Sequence, residues 1–338
     1  MVTDHGPAGN LLGRARALCE PVLREAVDWL PVPLRHLAGY HFGWWDVTGT
    51  AVRAPGGKSL RSALAICAAV ACGSPPSAAV HAGAALELLH NFTLVHDDVM
   101  DADVTRHGRA TVGHIWGASS AVLLGDALHA MAIRVLATGL PALVAVDAVA
   151  RLETAAAEMC HGQYEDCVFE TREQVGVDDY LRMAAGKTGT LMGCACALGA
   201  LCGGGDAETV AAMDEFGREL GLAFQIVDDM IGIWGDPGVS GKPAGNDLAC
   251  RKRSMPVVAA LGSGTDSVAE LSNLYLSNAP MTLADVARAT ALIETAGGKA
   301  MAQRYADERL TAAIATLPSW SAAGELIALA QLVTHRDK

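Results

Sequence analysis

The chain has 338 residues, 51% of them hydrophobic and 18% charged, with a formal net charge of −12 at pH 7. Such a length and apolar content support a large buried core and exclude a disordered chain. The acidic balance argues against nucleic acid or an anionic membrane surface as a general partner. It leaves room for an anionic substrate, because bound cations and a few basic side chains can invert the local field.

The opening stretch, MVTDHGPAGNLLGRAR, carries no apolar signal core. From about Leu11 onward, apolar residues recur with helical spacing to the end of the chain. Breaks fall at Pro31–Pro33, Ala54–Gly57, Gly73–Pro76, Gly139–Pro141, Gly203–Gly205 and Gly235–Gly245. Each interval holds one or two helices of ordinary length, and no hairpin signal separates two alternating β runs. The expectation is an all-α fold in which residues 1–338 form one domain of roughly ten or more helices. The longest apolar stretch, LMGCACALGALC from Leu191 to Cys202, is too short and too rich in small residues to span a bilayer. It predicts a closely packed buried helix, with a dimer interface as a second use for its small residues; no membrane span is expected. The nine cysteines include no C-x-x-C pair. They read as reduced thiols of a cytoplasmic protein, not as a metal site.

Several motifs carry chemistry. Gly56-Gly57-Lys58-Ser59-Leu60-Arg61 sets two cations three residues apart at a helix start, where glycine permits close backbone approach and a helix N-terminus favours phosphate. The segment HNFTLVHDDVMDADVTRHGR contains Asp97, Asp98 and Asp101 as D-D-x-x-D. On a helix Asp97 and Asp101 share a face, and their mutual repulsion calls for a cation between them; oxygen ligands of this kind suit Mg²⁺. Arg106 and Arg109 follow. Lys187-Thr188 stands in GKTGT, which lacks the spacing of a Walker motif. The second acidic site is FQIVDD, with Gln225 one turn before Asp228 and Asp229, and with Lys242 and Lys252 beyond it. Both acidic pairs follow apolar residues, so they are expected to emerge from helices with buried backs. Facing each other, they would hold metal ions that bridge one diphosphate and help it leave.

The blocks GKSLR, ELLHNFTLVHDDVMD, TRHGR, GQYED, KTGTL and FQIVDDMIGIWGDPGVSGKPAGNDLACRKRSMP, in this order and spacing, resemble the trans-isoprenyl diphosphate synthases, or polyprenyl synthetase family, from about Tyr40 to Leu261. The resemblance implies an all-α fold around a central cavity, usually a homodimer, that joins isopentenyl diphosphate to an allylic diphosphate with Mg²⁺. It assigns Asp97, Asp98 and Asp101 on one wall, and Asp228 and Asp229 on the other, to the metal. Arg106, Lys187 and Lys242 would hold the allylic diphosphate, while Lys58, Arg61, His90 and His107 would hold isopentenyl diphosphate. Thr188 and Gln225 would lie beside the developing cation with Gln163 and Asp166 near, and Lys252 would close the site. Phe92, five residues before Asp97, would be a floor that limits the product, with C20 favoured over C15.

The chain departs from the family pattern at Ser59 and Ser62, at His107 where a second Arg is usual, at Gly232 where a third Asp is usual, and at Ser254 where Thr is usual. Two other classes share part of the pattern. A terpene cyclase would use the same metals but not the Lys58, Arg61 and His90 set. A non-catalytic subunit of a prenyl synthase would be expected to lose its acidic motifs.

Overall fold

The structure, a computed structural model, describes residues 7–52, 57–169, 172, 174–235, 245–277, 279–317 and 323–334. Helices dominate it, and the sequence breaks are where they end. Helix α1 (Pro7–Asp28) and α2 (Val32–His41) flank the first proline pair, and α3 (Leu60–Ala71) follows the Gly-Lys turn. A 3-10 turn at Pro76–Ala79 leads into α4 (Val80–Met100). After α5 (Val112–Trp116), α6 (Ala118–Gly139) and α7 (Ala142–Phe169) meet at the Gly139–Pro141 break. Helix α8 (Val177–Ala184) runs through a π turn at Ala185–Gly189 into α9 (Thr190–Cys202), and α10 (Ala207–Trp234) follows Gly203–Gly205. The remainder is α11 (Asn246–Ala249), α12 (Met255–Leu261), α13 (Ser267–Leu276), α14 (Leu283–Thr295), α15 (Gly298–Thr316) and α16 (Gly324–Thr334).

One element was not foreseen. Thr105–Arg106 (β1) and Arg109–Ala110 (β2) form an antiparallel pair joined by His107 and Gly108, which have φ of 51° and 74°. Positive φ at both central residues marks a tight hairpin turn. Two-residue strands are too short to show alternation, so the pattern could not announce them.

Helix α9 settles the reading of the small-residue stretch. From Thr190 to Ala200 every residue is buried, against α3, α7 and α10 of the same chain. A Cβ on Gly199 would meet the Ala65 carbonyl oxygen at 2.1 Å. The small residues therefore serve internal helix packing, which corrects the expectation of a subunit face there. Helix α6 is long and apolar enough by length and composition to cross a membrane. One of its faces (Leu124, Leu128, Ala132, Leu136) is buried against α4 and its neighbours.

Helix α10 is the structural axis. Phe216 and Leu220 belong to the main core, Leu222 and Ile226 to a second cluster with Tyr180 and Met255, and Ile233 to a third with Leu248 and Ile293. A helix anchored in three apolar clusters has little freedom to rotate, so the side chains on its remaining face are held in place.

Candidate active site

An open cleft of about 320 Å³ runs between the end of α4, the β1–β2 hairpin, the start of α3 and the middle of α10. Its lining brings together Lys58, Arg61, His90, Asp98, Arg106, His107 and Asp228, residues spread over 170 positions of sequence. A smaller hollow beside it is lined by Asp166, Lys187, Gln225, Asp229 and Lys252. Gln225, Asp228 and Asp229 lie on one turn of α10, so the two hollows share a wall. An acid of each motif, Asp98 and Asp228, thus lines the same cleft.

The acids are not equivalent. Asp101 is the C-cap of α4 and is exposed, and its backbone N–H donates to the Asp97 carbonyl at 2.8 Å. Burial, opposed by the Lys187 ammonium and reinforced by the Asp101 charge, pushes Asp97 up to about 6. Asp98 is buried and accepts from Arg106 Nε at 2.6 Å. On α10, Asp228 is exposed while Asp229 is buried. Asp229 accepts from the Tyr180 hydroxyl at 2.7 Å, from the Met255 backbone N–H at 2.9 Å and from Gln225 Nε2 at 3.0 Å. Consecutive helix residues point about 100° apart, so within each pair one carboxylate is the more buried. Asp98 binds Arg106 and Asp229 binds Gln225, while Asp97 is half-buried and Asp101 and Asp228 are exposed.

Hydrogen bonds and ion pairs link the polar layer beside the acids. Thr188 donates to Gln225 Oε1 at 2.6 Å, and Gln225 in turn donates to Asp229. Lys187 pairs with Asp166 at 2.6 Å, and Lys252 Nζ lies 4.0 Å from Asp229. Lys187 and Thr188 sit in the π turn, a distortion frequent at functional sites. It also presses against α7: a Cβ on Gly162 would meet the Lys187 backbone nitrogen at 2.2 Å, so only glycine fits at the head of GQYED. Gln163 lies on the same helix beside it and approaches Cys167 Sγ at 3.8 Å.

The basic end is built on two neutral histidines. Burial, then the charge of Arg61, holds His90 well below its ordinary value. Burial likewise takes His41 down to about 4, although its ring is bonded to Asn91 Oδ1 at 2.9 Å. Neutral His90 can donate one N–H without adding charge. Arg109 turns inward to the Tyr40 and Trp45 carbonyls at 2.7 and 3.1 Å and lies over the Tyr40 ring. It ties the hairpin to α2. Phe92 is buried, stacked on His129 at 5.0 Å and edge-on to His96 at 4.7 Å. Lys242 and the Gly56 end of the first basic motif lie outside the described residues.

Comparison with known proteins decides the family. The Polyprenyl synthetase family model matches residues 46–293. The chain belongs to the polyprenyl synthetase family. It is a prenyltransferase of the short-chain kind. A geranylgeranyl diphosphate synthase of Mycobacterium tuberculosis is 55% identical over 327 residues, covering 97% of this chain and 93% of that protein. A (2E,6E)-farnesyl diphosphate synthase of the same organism is 38% identical over 307 residues, covering 90% and 85%. The crystal structure of a polyprenyl synthetase from Streptomyces coelicolor superposes with a TM-score of 0.91 at 41% identity, covering 96% of this chain and 98% of that one.

Against that family, the departure at Gly232 acquires a physical reason. A Cβ there would lie 2.2 Å from Asp247 Oδ2. The Asp247 carboxylate of α11 occupies the space beside Gly232, so a larger side chain there would displace it. Asp247, Tyr180, His41 and Asn91 were not singled out from the sequence. A Tyr in an amphipathic helix reads as core, and nothing local to it announces a partner 49 residues away.

Proposed function

We propose that this prenyltransferase condenses isopentenyl diphosphate with an allylic diphosphate, that its product is geranylgeranyl diphosphate, and that it requires Mg²⁺. The observation that supports the reading is one cleft lined both by an acid of each motif, Asp98 and Asp228, and by Lys58, Arg61 and His90. A terpene cyclase has no use for the second set. The relatives named as geranylgeranyl and farnesyl diphosphate synthases support the same reaction, and the 55% identity of the former favours the C20 product.

The donor set fits Mg²⁺. Asp97, Asp101 and Asp228 offer hard oxygen ligands, and burial, reinforced by the Asp101 charge, holds Asp97 up at about 6. Among the described residues no three acidic, His or Cys side chains form a cage by themselves. Mg²⁺ suits such a site, since it keeps waters and completes its shell with substrate phosphate oxygens. Bound there, it would neutralise the leaving diphosphate.

The chain's own residues do the rest. Lys187 and Arg106 hold the allylic diphosphate while its C–O bond breaks. Thr188 and Gln225 turn their oxygens towards the resulting allylic cation, Gln225 being fixed by Asp229. The double bond of isopentenyl diphosphate, anchored by Lys58, Arg61 and His90, forms the new C–C bond. The proton then lost passes to the departed diphosphate. Apolar walls exclude water, which would quench the cation. Phe92, wedged between His96 and His129, is the floor for the growing chain. We further read the whole chain as one domain, tied end to end by Arg14 and Glu325 at 2.7 Å. A homodimer in the cytoplasm is the expected setting, in keeping with nine cysteines that form no disulfide.

The test supplies labelled isopentenyl diphosphate with C5, C10 and C15 primers, with and without Mg²⁺, and separates products by chromatography. C20 product from each primer, dependent on Mg²⁺, is expected, and Phe92→Ala should lengthen it. A hydrocarbon formed from geranylgeranyl diphosphate alone would support the cyclase instead. Activity only on mixing with a homologue would indicate a partner subunit.

A further inference from the structure

Helix α1 lies far in sequence from every motif, yet it enters the basic end of the cleft. Arg16 and Glu20 of α1 line it together with Lys58, Ser59 and Arg61. Arg16 Nη2 donates to the Gly57 carbonyl at 2.5 Å, and Arg16 Nε lies 3.4 Å from Ser59 Oγ. The guanidinium therefore grips the chain on both sides of Lys58. Neither bond uses Nη1, which keeps two N–H groups of the planar fork. The loop it grips is strained: Ser59, the N-cap of α3, has φ of 54°, a conformation that a non-glycine residue holds only when its surroundings impose it.

The charges around Arg16 favour an anion. Glu20 is turned to Arg24, which it meets at 2.7 Å, and Arg24 in turn lies over the Trp44 ring. The buried Glu87 lies beneath, where it accepts from the Ser62 backbone N–H at 3.3 Å and feels the charges of Arg61 and Arg16. With Glu20 and Glu87 so engaged, Arg16, Lys58 and Arg61 present a cationic rim at the cleft mouth. A planar guanidinium with open N–H groups recognises a diphosphate through paired hydrogen bonds that a lysine cannot copy.

We propose that Arg16 is a binding residue for the diphosphate of the C5 substrate, a third cation delivered to that subsite by α1, which also sets the position of Lys58. This rests on the assignment of the basic end to isopentenyl diphosphate. It places a substrate contact outside the segment from about Tyr40 onward in which all the family motifs lie.

The experiment measures KM for isopentenyl diphosphate, KM for the allylic primer, kcat and the thermal midpoint of Arg16→Gln, Arg16→Lys, Ser59→Ala and Lys58→Gln. Arg16→Gln should raise KM for isopentenyl diphosphate about tenfold, with primer KM and kcat within about twofold of the wild type. Arg16→Lys should recover part of that loss, and Ser59→Ala, which removes one grip but no charge, little of it should share. If Arg16→Gln leaves that KM unchanged while Lys58→Gln raises it, the proposal falls and the assignment of the subsite stands. If neither variant raises it, the assignment itself falls. A parallel rise in primer KM, or Ser59→Ala matching Arg16→Gln, would reduce Arg16 to a structural strut and overturn its role as a ligand. Should Arg16→Gln lose its thermal transition, the Arg16→Lys comparison decides by the same readings.

Discussion

The two acidic walls carry the same dipeptide and treat it in the same way by different means. At the end of α4, Asp98, which lines the cleft, is taken by a single guanidinium from the neighbouring hairpin. Five residues before the end of α10, Asp229 is taken by a phenol, a backbone N–H and an amide, and its exposed neighbour Asp228 lines the cleft. The first lock is one strong charge-assisted bond at a helix end. The second is a fully satisfied buried carboxylate inside a packed helix. Burial is the leading cause that raises both Asp98 and Asp229.

That contrast can be broken by exchange of single atoms. The largest expected effect is on turnover: Asp97→Asn and Asp228→Asn should each lower kcat about 10²–10³-fold, with the thermal midpoint unchanged. Asp98→Asn should instead cost stability, about 1–3 kcal/mol, because the half-buried Arg106 loses its partner. Steady-state kinetics beside thermal melts would check this, and an Asp98→Asn variant as inactive as Asp97→Asn but fully stable would break the division of labour.

Tyr180→Phe sharpens the second lock. Removal of one of the bonds to Asp229 should lower activity about tenfold and stability by about 1–2 kcal/mol. The activity loss should appear in kcat, since Gln225 loses its fixed partner. Gly232→Ala probes the close approach of Asp247. Its Cβ would displace Asp247, at a cost of about 1–3 kcal/mol, read by chemical denaturation, and with a smaller effect on turnover than Tyr180→Phe.

The smallest effect is acid sensitivity at the basic end. His41 binds its proton near pH 4 in the folded chain and near its ordinary 6.5 when unfolded. The unfolded chain therefore takes up more protons between these values. Stability from this group is complete above pH 6.5 and falls as the pH is lowered towards 4, by about 1–2 kcal/mol at pH 5. Denaturation at pH 7 and pH 5 should show the loss, and His41→Asn should reduce it.

Much of the fold was legible because helices are local. The breaks at Pro31–Pro33, Gly139–Pro141 and Gly203–Gly205 separate helices where backbone chemistry requires it. The hairpin at His107–Gly108 escaped, since two-residue strands have no period. The small-residue helix α9 was read as buried, as it is, but its neighbours could not be named from its own composition.

By itself the sequence determined an all-α chain with two acidic motifs, a Gly-Lys-Arg turn and a resemblance to prenyl synthases, because spacing along a helix fixes which residues share a face. Only the tertiary structure decided which carboxylate of each pair is the more buried, that Asp247 fills the room beside Gly232, and that Arg16 reaches the Lys58 loop. Those choices depend on partners tens of positions away or more, brought close by packing of apolar faces, and no local pattern encodes where a distant guanidinium or phenol will come to rest.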